Sequence, residues 1–159
     1  MFKLSTKIRY GTRAIIRIAT EKKRKAVSLN HVSRAEDISL KYLENIISIL
    51  KKNGLVTSIK GPKGGYVLSR PLEEITLLDI ARALEGEVAL VDCCGKDFEC
   101  ERKEFCPTYD TWYEFSGMLQ SSMESVKLID LVKRDEKKLK KKSCHPPRRT
   151  QRRKGKRNN

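Results

Sequence analysis

No apolar stretch in this sequence approaches the roughly 20 residues that a membrane-spanning helix needs. The opening segment is not an apolar leader either. Lys3, Lys7, Arg9, Arg13 and Arg17 interrupt it, so no secretory signal is expected. There is no Cys-x-x-Cys pair of the kind a thiol oxidoreductase uses. No glycine loop leads into Lys-Ser or Lys-Thr, and no nucleophile elbow occurs, so the phosphate-binding and hydrolase motifs are missing. A thiol redox enzyme is thus a remote reading. The chain is expected in the cytoplasm, with no membrane partner. Thiols stay reduced there, and five cysteines point to metal binding or redox chemistry rather than a disulfide framework.

What is abundant is positive charge, a formal net +15, and it is unevenly spread. Residues 133–159 hold 14 Lys and Arg against 2 Asp and Glu, which leaves only +3 for everything before them. The folded part is nearly balanced. The basic end favours a polyanion through counterion release, or else is a solvated, solubilising run. An RNA- or ribosome-associated protein is a weaker reading of the same charge.

Ile8, Gly11, Ala14, Ile15, Ile18 and Ala19 recur at helical steps and predict an amphipathic helix from about Ser5 to Glu21. Ser28 caps a second predicted helix, Leu29 to about Arg34. Asp37-Ile38-Ser39 makes a turn, and Ser39 caps a third helix, Leu40 to Asn53, with Leu43, Ile46, Ile47 and Leu50 inward and Gly54 just past its end. Two helices joined by such a turn form a helix-turn-helix. Leu55–Ile59 and Tyr66–Leu68, joined by Gly61-Pro62-Lys63-Gly64-Gly65, predict a β-hairpin, which beside a helix-turn-helix is a wing. Its glycines allow close backbone approach to a surface. Thr76 caps a fourth helix, Leu77–Glu85, stopped by Gly86. Pro107 opens a fifth, about Thr108–Met123, whose Trp112, Phe115, Leu119, Met123 and Val126 form one apolar stripe with little core left to cover it. A shorter helix, about Lys127–Lys133, follows, and the loss of apolar periodicity from Lys137 reads as disorder.

The fold class is therefore mainly α, a winged helix-turn-helix with a small hairpin wing and a long C-terminal helix. Four parts are expected: a DNA-binding domain over 1–86, a cysteine loop over 87–107, dimerisation helices over 108–136 and a basic disordered tail over 137–159. A recognition helix offers its N-terminal side chains to base edges in the major groove. Here these are Ser39, Lys41, Tyr42, Glu44, Asn45 and Ser48. Lys donates to guanine, Asn suits adenine and Glu accepts from cytosine. Lys60 and Lys63 at the wing would meet phosphate or the minor groove. His31 reads as a surface or packing residue of the second helix, not a ligand.

Cys94, Cys100 and Cys106 stand at even spacing, five residues between neighbours. Zinc knuckles usually show two close pairs, so this pattern suits them poorly. Three thiolates with one further donor suit an iron–sulfur cluster that responds to conditions, whereas three unrelated thiols are the plainer alternative. Tyr109, Asp110, Cys93, Cys144, His145 and a residue of a partner's first helix are all open as the fourth donor.

Leu4-Ser5-Thr6-Lys7, Arg9-Tyr10-Gly11, Arg13-Ala14, Lys41-Tyr42-Leu43-Glu44, Lys52-Asn53-Gly54-Leu55-Val56, Gly61-Pro62-Lys63-Gly64-Gly65-Tyr66 and Leu84-Glu85-Gly86 together resemble the Rrf2 family of bacterial winged-helix repressors, over about Met1–Val132. The resemblance implies a homodimer crossed by a long helix, here the Trp112 helix. The double-stranded DNA site would be pseudo-palindromic, with half-sites about one helical turn apart. It implies that Cys94, Cys100 and Cys106 hold a 2Fe–2S or 4Fe–4S cluster that senses iron–sulfur supply, oxidants or nitric oxide. Tyr109 stands where the Isc regulators carry a histidine ligand, and Arg9 where the nitric-oxide sensors carry an aspartate. Other members lack the cysteines and work without a cluster, and the alternative reading of this chain is a cluster-independent repressor controlled by a protein partner or by thiol oxidation.

Overall fold

The computed structural model describes residues 4–21, 26–95 and 100–143. The elements run α1 (Thr6–Thr20), α2 (Leu29–Glu36), α3 (Leu40–Lys52), β1 (Val56–Ile59), β2 (Gly65–Leu68), α4 (Leu77–Glu85), α5 (Tyr109–Ser125) and α6 (Leu128–Ser143), with short 3-10 turns at Asp92–Cys94 and Lys103–Phe105. The fold is the expected winged helix-turn-helix.

Hydroxyl caps start several of these helices. Ser5 accepts from the Ile8 N–H at 3.1 Å and Ser28 from the His31 N–H at 3.3 Å. Thr76 and Asp79 bond reciprocally at 3.0 and 2.9 Å, a complete capping box for α4. One shared core follows from the apolar faces. Ile8, Ala14 and Ile15 of α1 meet Leu43, Ile46, Ile47 and Leu50 of α3 and Ile80, Ala81 and Leu84 of α4. At the α1–α4 crossing Gly11 lies so close to Leu84 that a methyl group there would collide with its side chain. Leu128 and Val132 seal α6 onto this core.

The turn between α2 and α3 is tied down from α1. Asp37 takes the left-handed conformation (φ 53°) and its N–H bonds to the Ser33 carbonyl. Glu36, the last residue of α2, accepts from Arg13 Nε at 3.0 Å and pairs with Arg17 at 2.7 Å. The cations of α1 therefore hold the reading head in place. Lys7 is spent likewise, on Glu85 at 3.4 Å.

β1 and β2 pair antiparallel, Val56 opposite Leu68 and Ile59 opposite Gly65. The wing has a third contact that the sequence does not announce. Val27 and Tyr66 exchange backbone bonds of 3.0 and 2.9 Å. A side chain at Gly65 would come within 2.5 Å of the Val27 backbone. The close approach that this glycine permits is thus to the protein's own chain, just ahead of α2.

Two expectations need correction. α6 does not stop near Lys133 but continues through Ser143, so the predicted loss of structure from Lys137 does not hold for 137–143. Lys and Leu are good helix formers, and propensity carries the helix on after the buried stripe has ended. The cysteine segment, read as a loop, contains two 3-10 turns. Residues 144–159 of the expected tail lie outside the described residues.

Candidate nucleic-acid interface and thiol pocket

The exposed face of α3 carries Lys41, Glu44, Asn45 and Ser48, all accessible, while Leu43, Ile46 and Ile47 between them are fully buried. This alternation presents four polar side chains from a rigid helix. Ser39 is the N-cap residue by position, yet its hydroxyl makes no capping bond. That corrects the expected cap and leaves the Ser39 side chain, which is exposed, free for another acceptor or donor. Tyr42 differs from its neighbours. It is half-buried, and its ring meets Tyr10 edge-on, centroids 6.0 Å apart. Arg13 lies over the same Tyr10 ring at 5.5 Å. Tyr42 thus fastens α3 to α1. Lys60 and Lys63 are exposed at the wing, where a Gly64 N–H to Gly61 carbonyl bond of 2.9 Å closes the tip. His31 pairs with Glu21 at 2.8 Å and bridges α1 to α2, in line with a structural role.

The cysteines follow α4 in the chain, and the turn Asp92–Cys94 packs on α5. The Glu87–Val91 segment is pinned against α5 by two polar side chains that sequence reading passed over. Gln120 Nε2 donates to the Val88 carbonyl at 2.8 Å, and the Leu90 N–H donates to Ser116 Oγ at 3.0 Å. Ser116 is itself buried. Nothing in their spacing marks these residues, since small polar side chains on a helix are usually solvated. They fix where the turn Asp92–Cys94 sits.

An open cavity of about 610 Å³ follows, lined by Cys93, Cys94 and Cys100 together with Tyr109, Lys103 and Glu87 among others. Cys93, Cys94, Cys100 and Cys106 are all free thiols. Burial pushes the Cys94 thiol up, reinforced by hydrogen-bonding contact with Cys93 and by the charges of Cys93, Cys100 and Cys106. The Cys106 thiol is held down, chiefly by hydrogen bonds from Thr108, whose hydroxyl lies 3.5 Å away. Tyr109 is buried and stacks on Tyr113, with the Lys103 ammonium 5.3 Å from its ring. Asp110 is exposed, and Cys144 and His145 lie outside the described residues.

Thiol donors beside one roomy cavity suit a soft metal or iron–sulfur cluster in their chemistry. Among the described residues, no three Cys, His or acidic side chains stand close enough together to hold a metal ion as placed. Binding would require the segment to draw inward.

Past this pocket, α5 presents Trp112, Tyr113, Phe115 and Met118, between 41% and 61% exposed. The predicted stripe is split: Met123 is buried against the core, whereas Trp112 and Phe115 are uncovered. Among the described residues no helix is long and apolar enough to cross a membrane.

The family model for Rrf2, described as an iron-dependent transcriptional regulator, matches residues 4–134. A relative is the HTH-type transcriptional regulator IscR of Xenorhabdus nematophila, 36% identical over 134 residues, 84% of this chain and 81% of that protein. Among solved structures, T. potens IscR superposes with a TM-score of 0.70 at 32% identity, covering 86% of this chain and 90% of that one. CymR (YrzC), the global cysteine regulator of B. subtilis, gives 0.67 at 34% identity, covering 84% and 98%.

Proposed function

The chain belongs to the Rrf2 family of DNA-binding transcription regulators and is not an enzyme; from that premise we propose that it is a cytoplasmic homodimeric repressor whose DNA affinity follows the state of an iron–sulfur cluster held by Cys94, Cys100 and Cys106. The observation that carries this reading is the cavity lined by Cys93, Cys94 and Cys100 beside α5, a helix that packs on α4 and whose aromatic face is exposed. A cluster bound there would supply a centre sensitive to oxidants, nitric oxide or iron–sulfur supply.

DNA contact in this reading falls to Ser39, Lys41, Glu44, Asn45 and Ser48 at base edges, with Tyr42 setting the helix angle and Lys60 and Lys63 on phosphate or in the minor groove. A self-complementary pairing through the Trp112–Met118 face makes the molecule two-fold. A two-fold reader matches a pseudo-palindromic operator with half-sites about one turn apart.

Iron and acid-labile sulfide per chain in anaerobically prepared protein, with footprinting on selected duplexes, test the proposal. Two or four irons with matching sulfide, and symmetric footprints that change when the cluster is removed, are expected. Protein that takes up no iron after reducing reconstitution sinks the cluster reading, and asymmetric single half-site footprints sink the dimer.

A second reading has its own support in the separation of the thiols and the similarity to CymR: control by thiol oxidation or a protein partner, with no cluster. Joint replacement of Cys94, Cys100 and Cys106 by Ala would then leave DNA affinity and its response to oxidants intact.

A further inference from the structure

Several cations of the reading head are spent within the fold. Lys7 pairs with Glu85, Arg13 and Arg17 with Glu36, and Arg70 with Asp79 at 3.6 Å. On α6 the pattern reverses. Lys133, Arg134, Lys137 and Lys138 are all exposed, and among the described residues none of the four has an acidic partner. At 3.6 residues per turn their spacing puts them on one side of the helix. The opposite side is the one that packs, with Leu128 and Val132 buried in the core. Asp135 and Glu136, which could have neutralised the row, are half-buried instead.

This helix is rooted on the reading head. The Leu128 N–H donates to the Ile75 carbonyl at 2.8 Å and the Ile129 N–H to the Leu72 carbonyl at 3.3 Å, both on the segment that follows β2. The helix also packs on α1. Cations near a helix C-terminus offset its dipole, which explains part of the charge. That effect fades beyond the last turn, and Lys133 and Arg134 lie well before it. Lys137 and Lys138 fall past residue 134, where the family match ends.

A row of unmatched cations fits a polyanion, and the sequence narrows which one. Residues 127–159 contain no Phe, Trp or Tyr, so single-stranded bases find no stacking platform. The apolar side of α6 is committed to the core through Leu128 and Val132, which leaves Leu139 alone among the described residues for a lipid surface. A duplex backbone needs neither feature. It offers one negative charge per about 1.7 Å of axis, and a DNA-binding regulator already brings this helix to a duplex. We propose that Lys133, Arg134, Lys137 and Lys138 of α6 form a second DNA-contact surface, which holds backbone phosphates beside the site that α3 and the wing read. Such contacts add affinity without reading sequence. They do not depend on any cluster.

The full chain carrying Lys133→Gln, Arg134→Gln, Lys137→Gln and Lys138→Gln tests this, with residues 144–159 left intact. Gln is a good helix former and all four positions are exposed, so circular dichroism should be unchanged. Two duplexes with the same selected site are compared, one trimmed to the site and one carrying about one further turn on each side. On the longer duplex the variant is expected to bind about tenfold more weakly at about 0.1 M salt, and its slope of log affinity against log salt should fall by about 0.9 for each phosphate let go. On the trimmed duplex, and in the ranking of selected sequences, variant and wild type should agree. A merely structural role for these side chains would not move the salt slope. Wild-type affinity and slope on the longer duplex overturn the proposal, as does an equal loss on both duplexes. A loss confined to an RNA hairpin, or to phosphatidylglycerol vesicles, overturns it too, since either names a different partner.

Discussion

The reading head and the cysteine segment are built on opposite principles. In α1–α4 the packing and pairing are dense. Ile46 and Leu43 are fully buried, Arg13 and Arg17 are matched to Glu36, and α1, α2 and α4 start on hydroxyl caps. Around Cys93–Met118 little is complete. Thiols face a cavity, Phe105 is 85% exposed, and Trp112, Tyr113, Phe115 and Met118 of α5 are left exposed by the described residues. The first region is finished by its own sequence. The second is shaped for things that come from outside, and regulation belongs in such a region, because ordering it releases free energy that can bias the rest.

The largest expected effect breaks the finished half. Ile46→Ala removes a fully buried side chain at the α1–α3–α4 junction. It should cost about 2–5 kcal/mol of stability by urea denaturation. Phe115→Ala, on the uncovered face, should leave the denaturation midpoint of the isolated subunit nearly unchanged. If both substitutions cost the same, the contrast between the regions is false.

Next in size is self-association. Trp112→Ala combined with Phe115→Ala should weaken the dimer by about tenfold or more, read by analytical ultracentrifugation, since aromatic anchors carry most interface energy. Retention of wild-type association would mean that this face serves another partner.

These contrasts also explain what could be read in advance. α4 was legible to the residue, because Thr76 and Gly86 are local signals that physics ties to helix ends. The core faces of α1 and α3 followed from periodicity alone. Ser39 obeyed the same positional rule yet makes no capping bond, since local sequence names a cap position without deciding which acceptor the hydroxyl takes. Contacts between distant residues left no trace in spacing. Glu36 with Arg13 and Arg17, Val27 with Tyr66, and Ser116 and Gln120 with the 88–90 backbone all depend on the assembled fold. The thiols were visible by their chemistry, but the cavity that Cys94 and Cys100 line together with Cys93 was not.

A smaller effect concerns α6. Lys133, Arg134, Lys137 and Lys138 are exposed, whereas Asp135 and Glu136 are half-buried, so the outer face of this helix is cationic before the basic run of 144–159 begins. A chain ended at Lys138 keeps Leu128 and Val132 in the core. It should bind a random duplex more weakly while its preference among sequences persists. The slope of log affinity against log salt should fall by about 0.9 for each phosphate that the shortened chain no longer neutralises. Loss of sequence preference in the shortened chain would move specificity out of the winged helix. Tighter binding of the full chain to an RNA hairpin than to duplex DNA would reassign the charge to RNA.

The smallest effect lies inside the pocket and compares two sulfurs. Cys106 is half-buried, with Thr108 donating to its sulfur and holding the thiol below its ordinary value; Cys94 is buried, and its thiol is pushed up. Only the thiolate attacks an alkylating agent. In chelator-stripped protein near neutral pH, iodoacetamide should therefore modify Cys106 several-fold faster than Cys94. A lowered value means that Cys106 gains its thiolate earlier as pH rises, while Cys94 gains its thiolate later. The ratio should thus be widest at and below neutrality and narrow as the solution becomes alkaline enough to ionise both. Thr108→Val, which removes the donating hydroxyl, should slow Cys106 and leave Cys94 unchanged. Equal rates at neutral pH would mean that the two thiols already share one environment without metal, and that the segment is closed before any cluster arrives.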